Sequence, residues 1–201
     1  MENNNTPKPP PRRLLAELMR IESGEVLPEN FHAVNQEMRI YRSSQPTRSE
    51  FRELEKYGFR TVLNLRSRHS DRSELRGFRI EERRLKVHIL TADDMVAALR
   101  IIKSSPKPLL FHCLRGADRT GAVAVGCRVI FENWSLDDAL AEMMLPDFGR
   151  HRFLYRKLPY ILRAFDWNAI RRAVADAPEA LPAAEEPEYP EAEGSPAPQQ
   201  A

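Results

Sequence analysis

The sequence predicts an α/β fold, with a central and mostly parallel sheet flanked by helices, and three features of the chain indicate it. Short apolar runs alternate with amphipathic segments through the middle of the chain. Capping residues and glycines mark the ends of several of these segments. The densest group of polar residues lies at a junction between a strand and a helix, which is where sheets of this kind bind ligands.

The first part of the chain predicts two helices and one strand. Residues Leu14–Ile21 have helical spacing and predict a leading helix. Thr47 and Glu50 form a capping box, so a helix begins there and stops at Gly58. The apolar run Phe59–Leu65 follows as a strand.

The second half of the chain repeats this alternation. Apolar residues at positions 85, 87 and 89 predict another strand. A helix then begins at Thr91 and runs to about Ser104. The remaining predicted elements are the strand Pro108–Phe111, the buried helix Gly121–Phe131, a helix capped by Ser135, and a final helical stretch over about His151–Ile170.

Length and composition indicate one folded domain with polar ends. The chain has 201 residues, of which 42% are hydrophobic and 30% charged, enough for a single core. We expect this domain over residues 30–172. Residues 1–29 are expected to form a disordered or helical extension, and residues 173–201 an acidic, disordered tail rich in proline, alanine and glutamate.

Charge and cysteine content narrow the function classes. All 31 Lys and Arg residues precede residue 173, against 22 of the 29 acidic residues, so we expect the folded part to attract anions. Basic and aromatic residues do not interleave, so no nucleic-acid partner is expected. No apolar run or signal peptide predicts an integral membrane segment, and we expect a cytoplasmic protein. The two cysteines, Cys113 and Cys127, suit a reducing compartment, with Cys127 expected in the core.

The segment His112–Gly121 (HCLRGADRTG) has the spacing of an anion-binding loop that carries its own nucleophile. It joins a strand to a helix, so unpaired N–H groups and the positive end of the helix dipole face a bound anion. Cysteines at such positions beside a guanidinium ionise at roughly pH 3.5 to 7.5. We therefore expect Cys113 to be a thiolate that can attack phosphorus.

Other residues of the loop complete the predicted chemistry. The planar fork of Arg119 matches two oxygens of a phosphoryl group, and Gly116 lets the backbone wrap the anion. The hydroxyl of Thr120 can stabilise the sulfur as a leaving group. His112 and Gly121 are expected to support the loop. The loop residues expected to contact substrate are Leu114, Arg115, Gly116, Ala117 and Asp118.

This segment resembles HCxxGxxRTG, the hallmark of the cysteine-dependent protein phosphatases, and matches its six specified positions. The resemblance covers about Asn30–Trp167 and extends to the compact bacterial dual-specificity-like members. It is carried further by Met38–Pro46, Phe59–Arg66 and Trp134–Glu142. The resemblance implies a dual-specificity-phosphatase-like fold and makes residues 30–172 a phosphatase domain. It also implies a phosphocysteine intermediate, no metal or other cofactor, and substrate-binding positions near the pocket for Arg42 and Arg66.

The general acid stays open between three aspartates. Asp93 and Asp94 precede a predicted helix, where the resembled family carries its acid-bearing loop, but both are also suited to helix capping. Asp118 resembles the loop aspartate of some lipid phosphatases of this superfamily, although it is equally suited to holding Arg119 or a loop N–H. Asp71 is a more distant candidate that could cross over the pocket. A placed acid contributes about 10²–10⁴ in rate.

Together these residues predict a hydrolase of the protein-tyrosine or dual-specificity phosphatase class. Its substrates would be phosphorylated proteins carrying phosphotyrosine and, in a shallow pocket, phosphoserine or phosphothreonine. One alternative is an inositol phosphate or phosphoinositide phosphatase, which would act on phosphorylated small molecules or lipids; Arg115 favours it and the charge of Asp118 opposes it. A second is a module that binds phosphorylated ligands without turnover. A sulfurtransferase of the rhodanese kind also has a loop cysteine, but its loop does not normally end in Arg-Thr-Gly.

Overall fold

The central sheet has β5, the strand that precedes Cys113, as its middle strand. In the computed structural model, residues 27–148 and 157–176 are described. Within them the sheet order is β1-β2-β5-β3-β4, with β1 antiparallel to β2 and the other neighbours parallel. Helices flank this sheet, which confirms the predicted fold class. The strands are β1 His32–Asn35, β2 Ile40–Ser43, β3 Thr61–Arg66, β4 Glu81–Val87 and β5 Leu109–His112.

Three of the described helices begin at caps that the sequence predicts. Thr47 and Thr91 each form a complete capping box, and Ser135 accepts a hydrogen bond from the backbone N–H of Asp138. Each cap is a contact between residues three apart and is therefore visible in the sequence. The helices are α1 Arg48–Lys56, α2 Ala92–Ser104, α3 Asp118–Phe131, α4 Leu136–Met143, α5 Leu158–Arg163 and α6 Trp167–Ala175, with a 3₁₀ turn at Pro146–Phe148.

Two predicted elements have different bounds. The strand predicted over residues 85–89 lies earlier, as β4, and Ile89 beyond its end is 75% exposed. Strand β4 is an edge strand whose side chains, apart from Val87, are exposed or half-buried, so its first residues lack the apolar alternation that marks a strand in the sequence. The final helical stretch is interrupted: Asp166 caps a new helix at the N–H of Ala169, so α5 and α6 are separate. Residues 149–156 and the predicted helix over residues 14–21 lie outside the described residues.

Apolar side chains fill both faces of the sheet. One cluster joins alternate strand residues to α2, α3 and α4, and the other packs α1 through Phe51 and Leu54 against the opposite face. Helix α3 is buried along most of its length. Cys127, on this helix, is 1% exposed, and burial raises its pKa to about 12. It is therefore an inert core thiol, as expected.

Candidate active site

The loop that carries Cys113 begins where three parallel strands end. Ser43 of β2 and Asn64 of β3 both lie opposite His112 of β5, so their carboxyl ends meet one residue before Cys113. Helix α3 begins at Asp118, and the N-cap residue before it, Ala117, makes no side-chain capping bond. The N–H groups of its first turn are therefore not used by a side-chain cap, as an anion-binding loop requires.

Gly116 is needed because the loop passes very close to the end of β2. Its φ angle is +69°, which disfavours any residue with a side chain. A Cβ atom at this position would lie 2.6 Å from the carbonyl carbon of Ser43 and 2.6 Å from the nitrogen of Ser44. Both neighbours are backbone atoms and cannot rotate away. The space that Gly116 leaves is thus used to seat the loop against β2.

Arg42 lies beneath this loop and not at its mouth, which corrects the expectation of a substrate contact. Its side chain is 2% exposed, and its Nη2 donates to the carbonyl oxygen of Gly116 at 2.5 Å. The guanidinium also stacks on Phe148, 4.9 Å from the ring centroid. Burial lowers the pKa of Arg42 to about 10, while the nearby Cys113 sulfur acts to raise it. Arg42 supports the loop and brings positive charge near the thiol.

Arg119 is anchored between two strand ends. Its Nη1 donates to the carbonyl oxygen of Leu65 at 3.1 Å and to that of Val87 at 3.3 Å. Both contacts use the same nitrogen, so Nε and Nη2 remain to bind a phosphoryl group. An anchored guanidinium loses little freedom when it binds an anion, which favours a bidentate contact.

Thr120 carries a buried hydroxyl with no hydrogen-bond partner among the described residues. A buried hydroxyl without a partner costs free energy, so this hydroxyl is available to a group that gains charge during the reaction. Its predicted bond to the sulfur of Cys113 stays a prediction. The N–H of Gly121 donates to the carbonyl oxygen of Ala117 at 2.8 Å and closes the first turn of α3, and its expected support of the loop stays a prediction.

Two residues to which the sequence assigned no supporting role lie next to His112. Asp71 is completely buried, and its Oδ2 lies 2.8 Å from Nε2 of His112. Gln45 donates to Oδ1 of Asp71 at 2.7 Å. Burial alone would raise the pKa of Asp71, but His112, with help from Gln45, lowers it below its ordinary value. Asp71 thus lies behind the loop, and its position 41 residues before His112 gave no local signal of this contact.

Arg66 reaches the same group from β3. Its Nη1 donates to Oε1 of Gln45 at 2.8 Å, and the backbone N–H of Gln45 donates to the carbonyl oxygen of Leu114 at 3.2 Å. The half-buried Arg66 is therefore linked to the loop through a single intervening residue, Gln45. Its predicted contact with substrate stays a prediction.

The candidate acids are placed differently. Asp94 closes the capping box of α2, accepting from the backbone N–H of Thr91 at 3.0 Å and from its hydroxyl at 2.8 Å. Asp93 is exposed in the same helical turn. Asp118 is 7% exposed and is the first residue of α3, inside the loop itself. Asp94 therefore has the capping role that was its alternative, and the choice of general acid stays a prediction.

The exposed surface around the loop combines apolar and basic side chains. Leu114 is 49% exposed and Ile89 is 75% exposed, each on a loop at the carboxyl end of its strand. Arg115 is also exposed. This rim can contact an apolar group or a further anionic group on a ligand whose phosphate lies at Cys113.

His69, Asp71 and Glu74 are the described residues whose potential metal-ligand atoms lie within 4.8 Å of one another. Asp71 is already engaged by His112 and Gln45, so this group is explained without an ion. Within the described ranges, no helix has the length and apolar character needed to cross a membrane.

Comparisons with known proteins agree with this geometry. The model of the tyrosine phosphatase family matches residues 25–166. The inositol diphosphatase DSP5 of Arabidopsis thaliana is 36% identical over 138 residues, covering 59% of this chain and 63% of that protein. The dual specificity protein phosphatase TpbA of Pseudomonas aeruginosa is 28% identical over 141 residues, covering 68% and 64%. The chain thus spans slightly less than two thirds of the length of each relative.

A solved structure extends the likeness to the fold. The core catalytic domain of the PP-IP phosphatase SIW14 from S. cerevisiae, in complex with citrate, superposes with a TM-score of 0.64 at 25% identity. The match covers 78% of this chain and 99% of that domain. With its loop cysteine, its anchored arginine and a family match over most of its length, the chain belongs to the tyrosine phosphatase family.

Proposed function

We propose that the protein hydrolyses phosphotyrosine in phosphorylated proteins through a phosphocysteine intermediate. The observation that carries the proposal is the position of Cys113, at the end of the central strand and the start of α3, with Arg119 anchored beside it. A thiolate, an anion-binding backbone and a fixed guanidinium are the groups that phosphoryl transfer to sulfur requires.

The reaction has two balanced steps. The sulfur of Cys113 forms a bond to phosphorus while the bond to the ester oxygen breaks, and that oxygen takes a proton from an acid, for which we propose Asp118. Water then attacks phosphorus, gives its proton back to the same carboxylate, and releases phosphate as the bond to sulfur breaks. Arg119 and the loop N–H groups bind the phosphoryl oxygens in both steps, and Thr120 is proposed to donate to the leaving sulfur.

The aryl ester is favoured by the leaving group and by the rim. A tyrosyl oxygen, with an ordinary pKa of about 10, depends less on a proton donor than the more basic oxygen of serine or threonine. This matters because Asp94 is used as a cap and Asp93 is exposed, which leaves Asp118 as the one proposed donor among the three candidates. The exposed side chains of Leu114 and Ile89 offer apolar surface to an aromatic ring.

An inositol diphosphate is the second candidate, and two observations favour it. Arg115 at the rim and Arg66 behind Gln45 could bind additional phosphate groups. The Arabidopsis relative is named as an inositol diphosphatase, at 36% identity. When the sulfur attacks the outer phosphorus of a diphosphate, the inner phosphate is the leaving group. This leaving group is weakly basic and needs little help from an acid.

The test compares kcat/KM for three substrates with chelator and reductant present. These are a phosphotyrosine peptide, the matched phosphoserine peptide and a diphosphoinositol phosphate. We expect the phosphotyrosine peptide to be preferred, Cys113→Ser to be inactive, and Cys127→Ala to retain activity. The second candidate would be selected if the diphosphate had the highest kcat/KM and if Arg115→Met lowered that value more than Leu114→Ala. Phosphopeptide binding without turnover of any substrate would leave a binding module.

Two broader expectations stay proposals. A reducing cytoplasm is proposed as the compartment, supported by the need to keep the Cys113 thiol unoxidised. The domain boundaries at residues 30 and 172 are proposed as well; the described residues run from 27 to 176 with a gap at residues 149–156, which lie inside the proposed domain.

A further inference from the structure

We infer that Asp71 is a positioning residue that acts on Cys113 through His112, and that it is not the proton donor of the reaction. The inference rests on the proposed chemistry at Cys113 but concerns the state of the thiol before any substrate binds. It gives a role to the buried pair of Asp71 and His112, which take no direct part in the two catalytic steps.

The contacts fix the orientation of the His112 ring. Asp71 and His112 are both 0% exposed, and Nε2 lies 2.8 Å from Oδ2. On the other side of the ring, Nδ1 lies 3.2 Å from the carbonyl oxygen of Cys113. The ring thus bridges a buried carboxylate and the backbone of the nucleophile. A change in its orientation would move the first residue of the loop.

The same two contacts favour a ring with a proton on each nitrogen. A carbonyl oxygen only accepts, so Nδ1 must donate to Cys113. The Asp71 carboxylate already accepts from Gln45 at Oδ1, and as an ionised group it accepts from Nε2 at Oδ2. A ring protonated on both nitrogens places a positive charge next to Cys113, with the Asp71 carboxylate on its far side. This arrangement favours the thiolate.

Other charged groups complete the surroundings of the pair. His69 lies 3.4 Å from Oδ1 of Asp71 and 3.7 Å from Glu74. Glu82 accepts from the backbone N–H of Asp71 at 2.7 Å. These contacts hold the segment that carries Asp71 in place. The charged and titratable groups around the pair are therefore His69, Glu74, Glu82, Arg66, Arg42 and Cys113.

Asp71 is poorly suited to act as an acid. A general acid must hold a proton near neutral pH and reach the leaving oxygen. Asp71 is fully buried, both of its oxygens have partners, and its pKa is shifted downward, mainly by His112 against the effect of burial. Its position therefore supports the nucleophile and not the leaving group.

The deciding experiment is the pH dependence of Cys113 alkylation by iodoacetamide, which needs no substrate. In Asp71→Asn the His112 ring loses its counter-ion and its extra proton. The pH at which alkylation of Cys113 reaches half its maximal rate should therefore rise by about one unit. Asp176→Asn, an exposed aspartate in α6's C-terminal turn, is the matched control and should not shift it. Cys113→Ser supplies the background, which should be small because Cys127 is buried.

A proton donor would behave in the opposite way. If Asp71 were the acid, Asp71→Asn would leave the midpoint unchanged or lower it, because a negative charge is removed, and turnover would lose its high-pH limb. That result overturns the inference. In a His112→Asn background, Asp71→Asn should add no further shift, since its effect passes through the ring. An equal shift in both backgrounds would contradict this.

A spectroscopic measurement on the wild-type chain keeps the test open if Asp71→Asn fails to fold. In protein labelled with ¹⁵N-histidine, the His112 ring, assigned from the spectrum of His112→Asn, should carry protons on both nitrogens at neutral pH. A neutral ring would overturn the inference. The alkylation and the spectrum remain informative even if no phosphatase activity is found, so the two proposals fail separately.

Discussion

The buried guanidinium of Arg42 donates to the carbonyl oxygen of Gly116 at 2.5 Å, across 74 residues of chain. This contact joins the end of β2 to the middle of the loop that carries Cys113. With Arg119 anchored to Leu65 and Val87, it holds the loop in its binding geometry before a ligand arrives. Donors fixed in advance need no reorganisation during the reaction, which is the source of their effect on rate.

Gly116→Ala should abolish turnover while leaving most of the fold intact. The new Cβ would lie 2.6 Å from backbone atoms of Ser43 and Ser44, so the loop must move away from β2. We expect kcat/KM to fall by at least about 10², as when a placed oxyanion donor is lost. Gly58→Ala is the matched control, because φ there is +76° but nothing lies within 4 Å. Equal activity losses in the two variants would argue against the steric explanation.

Arg119→Lys should lower kcat far more than Arg115→Lys. A lysine keeps the charge but lacks the fork that contacts the strand carbonyls and a phosphoryl group together. We expect a loss of about 10²–10³ in kcat for Arg119→Lys, and a small change in KM for Arg115→Lys at the exposed rim. Steady-state kinetics with a phosphotyrosine peptide, supported by vanadate binding, measure both. Full activity in Arg119→Lys would refute the assigned role.

Asp118→Asn should have an effect that depends on the leaving group. With p-nitrophenyl phosphate, whose leaving group is weakly basic, the loss should be small. With phenyl phosphate, we expect a fall of about 10²–10⁴ and loss of the high-pH limb. Asp93→Asn and Asp94→Asn are the comparison variants, and Asp94→Asn should mainly lower the melting temperature through its cap. A leaving-group dependence in Asp93→Asn instead would transfer the acid role to that residue.

Arg128→Ala should destabilise the fold strongly. Arg128 is 2% exposed and makes a bidentate contact at 2.8 Å with Glu142, which joins α3 to α4. Removing one partner leaves a buried charge, at a cost of about 3–5 kcal/mol in the free energy of unfolding. Arg163→Ala breaks the exposed pair with Asp137 and should cost about 0–1 kcal/mol. Urea unfolding of both variants checks this contrast, and comparable losses would contradict it.

The stability of the protein should fall in acid partly because of Asp71. Its pKa is lower in the folded chain than its ordinary value of about 4. Its contribution is therefore fully present above about pH 4 and is lost as the pH falls through the lower, folded value. Urea unfolding at several pH values measures this. Below about pH 4, the free energy of unfolding should fall less steeply with decreasing pH in Asp71→Asn than in the wild type. An unchanged slope, with Asp176→Asn as control, would show that Asp71 does not contribute.

Much of the site could be predicted because its signals are local. Thr47 and Thr91 cap helices through residues three positions away, and the loop from His112 to Gly121 carries nucleophile, glycine and arginine at fixed spacing. Each of these depends on a few consecutive residues, which a sequence displays directly. The strand predicted at residues 85–89 was placed too late in the chain. Strand β4 is an edge strand with few buried side chains, so its first residues show no apolar alternation in the sequence.

The residues alone were therefore enough to predict the fold class and to propose Cys113 as nucleophile with Arg119 in the same loop. What lies beneath that loop became visible in the folded chain, where Arg42 is buried under Gly116 and Asp71 faces His112. These pairs are 74 and 41 residues apart. They form because β2, β3 and β5 are parallel neighbours in the sheet. The hydrophobic periodicity of a sequence shows where strands lie but not which distant strands pair.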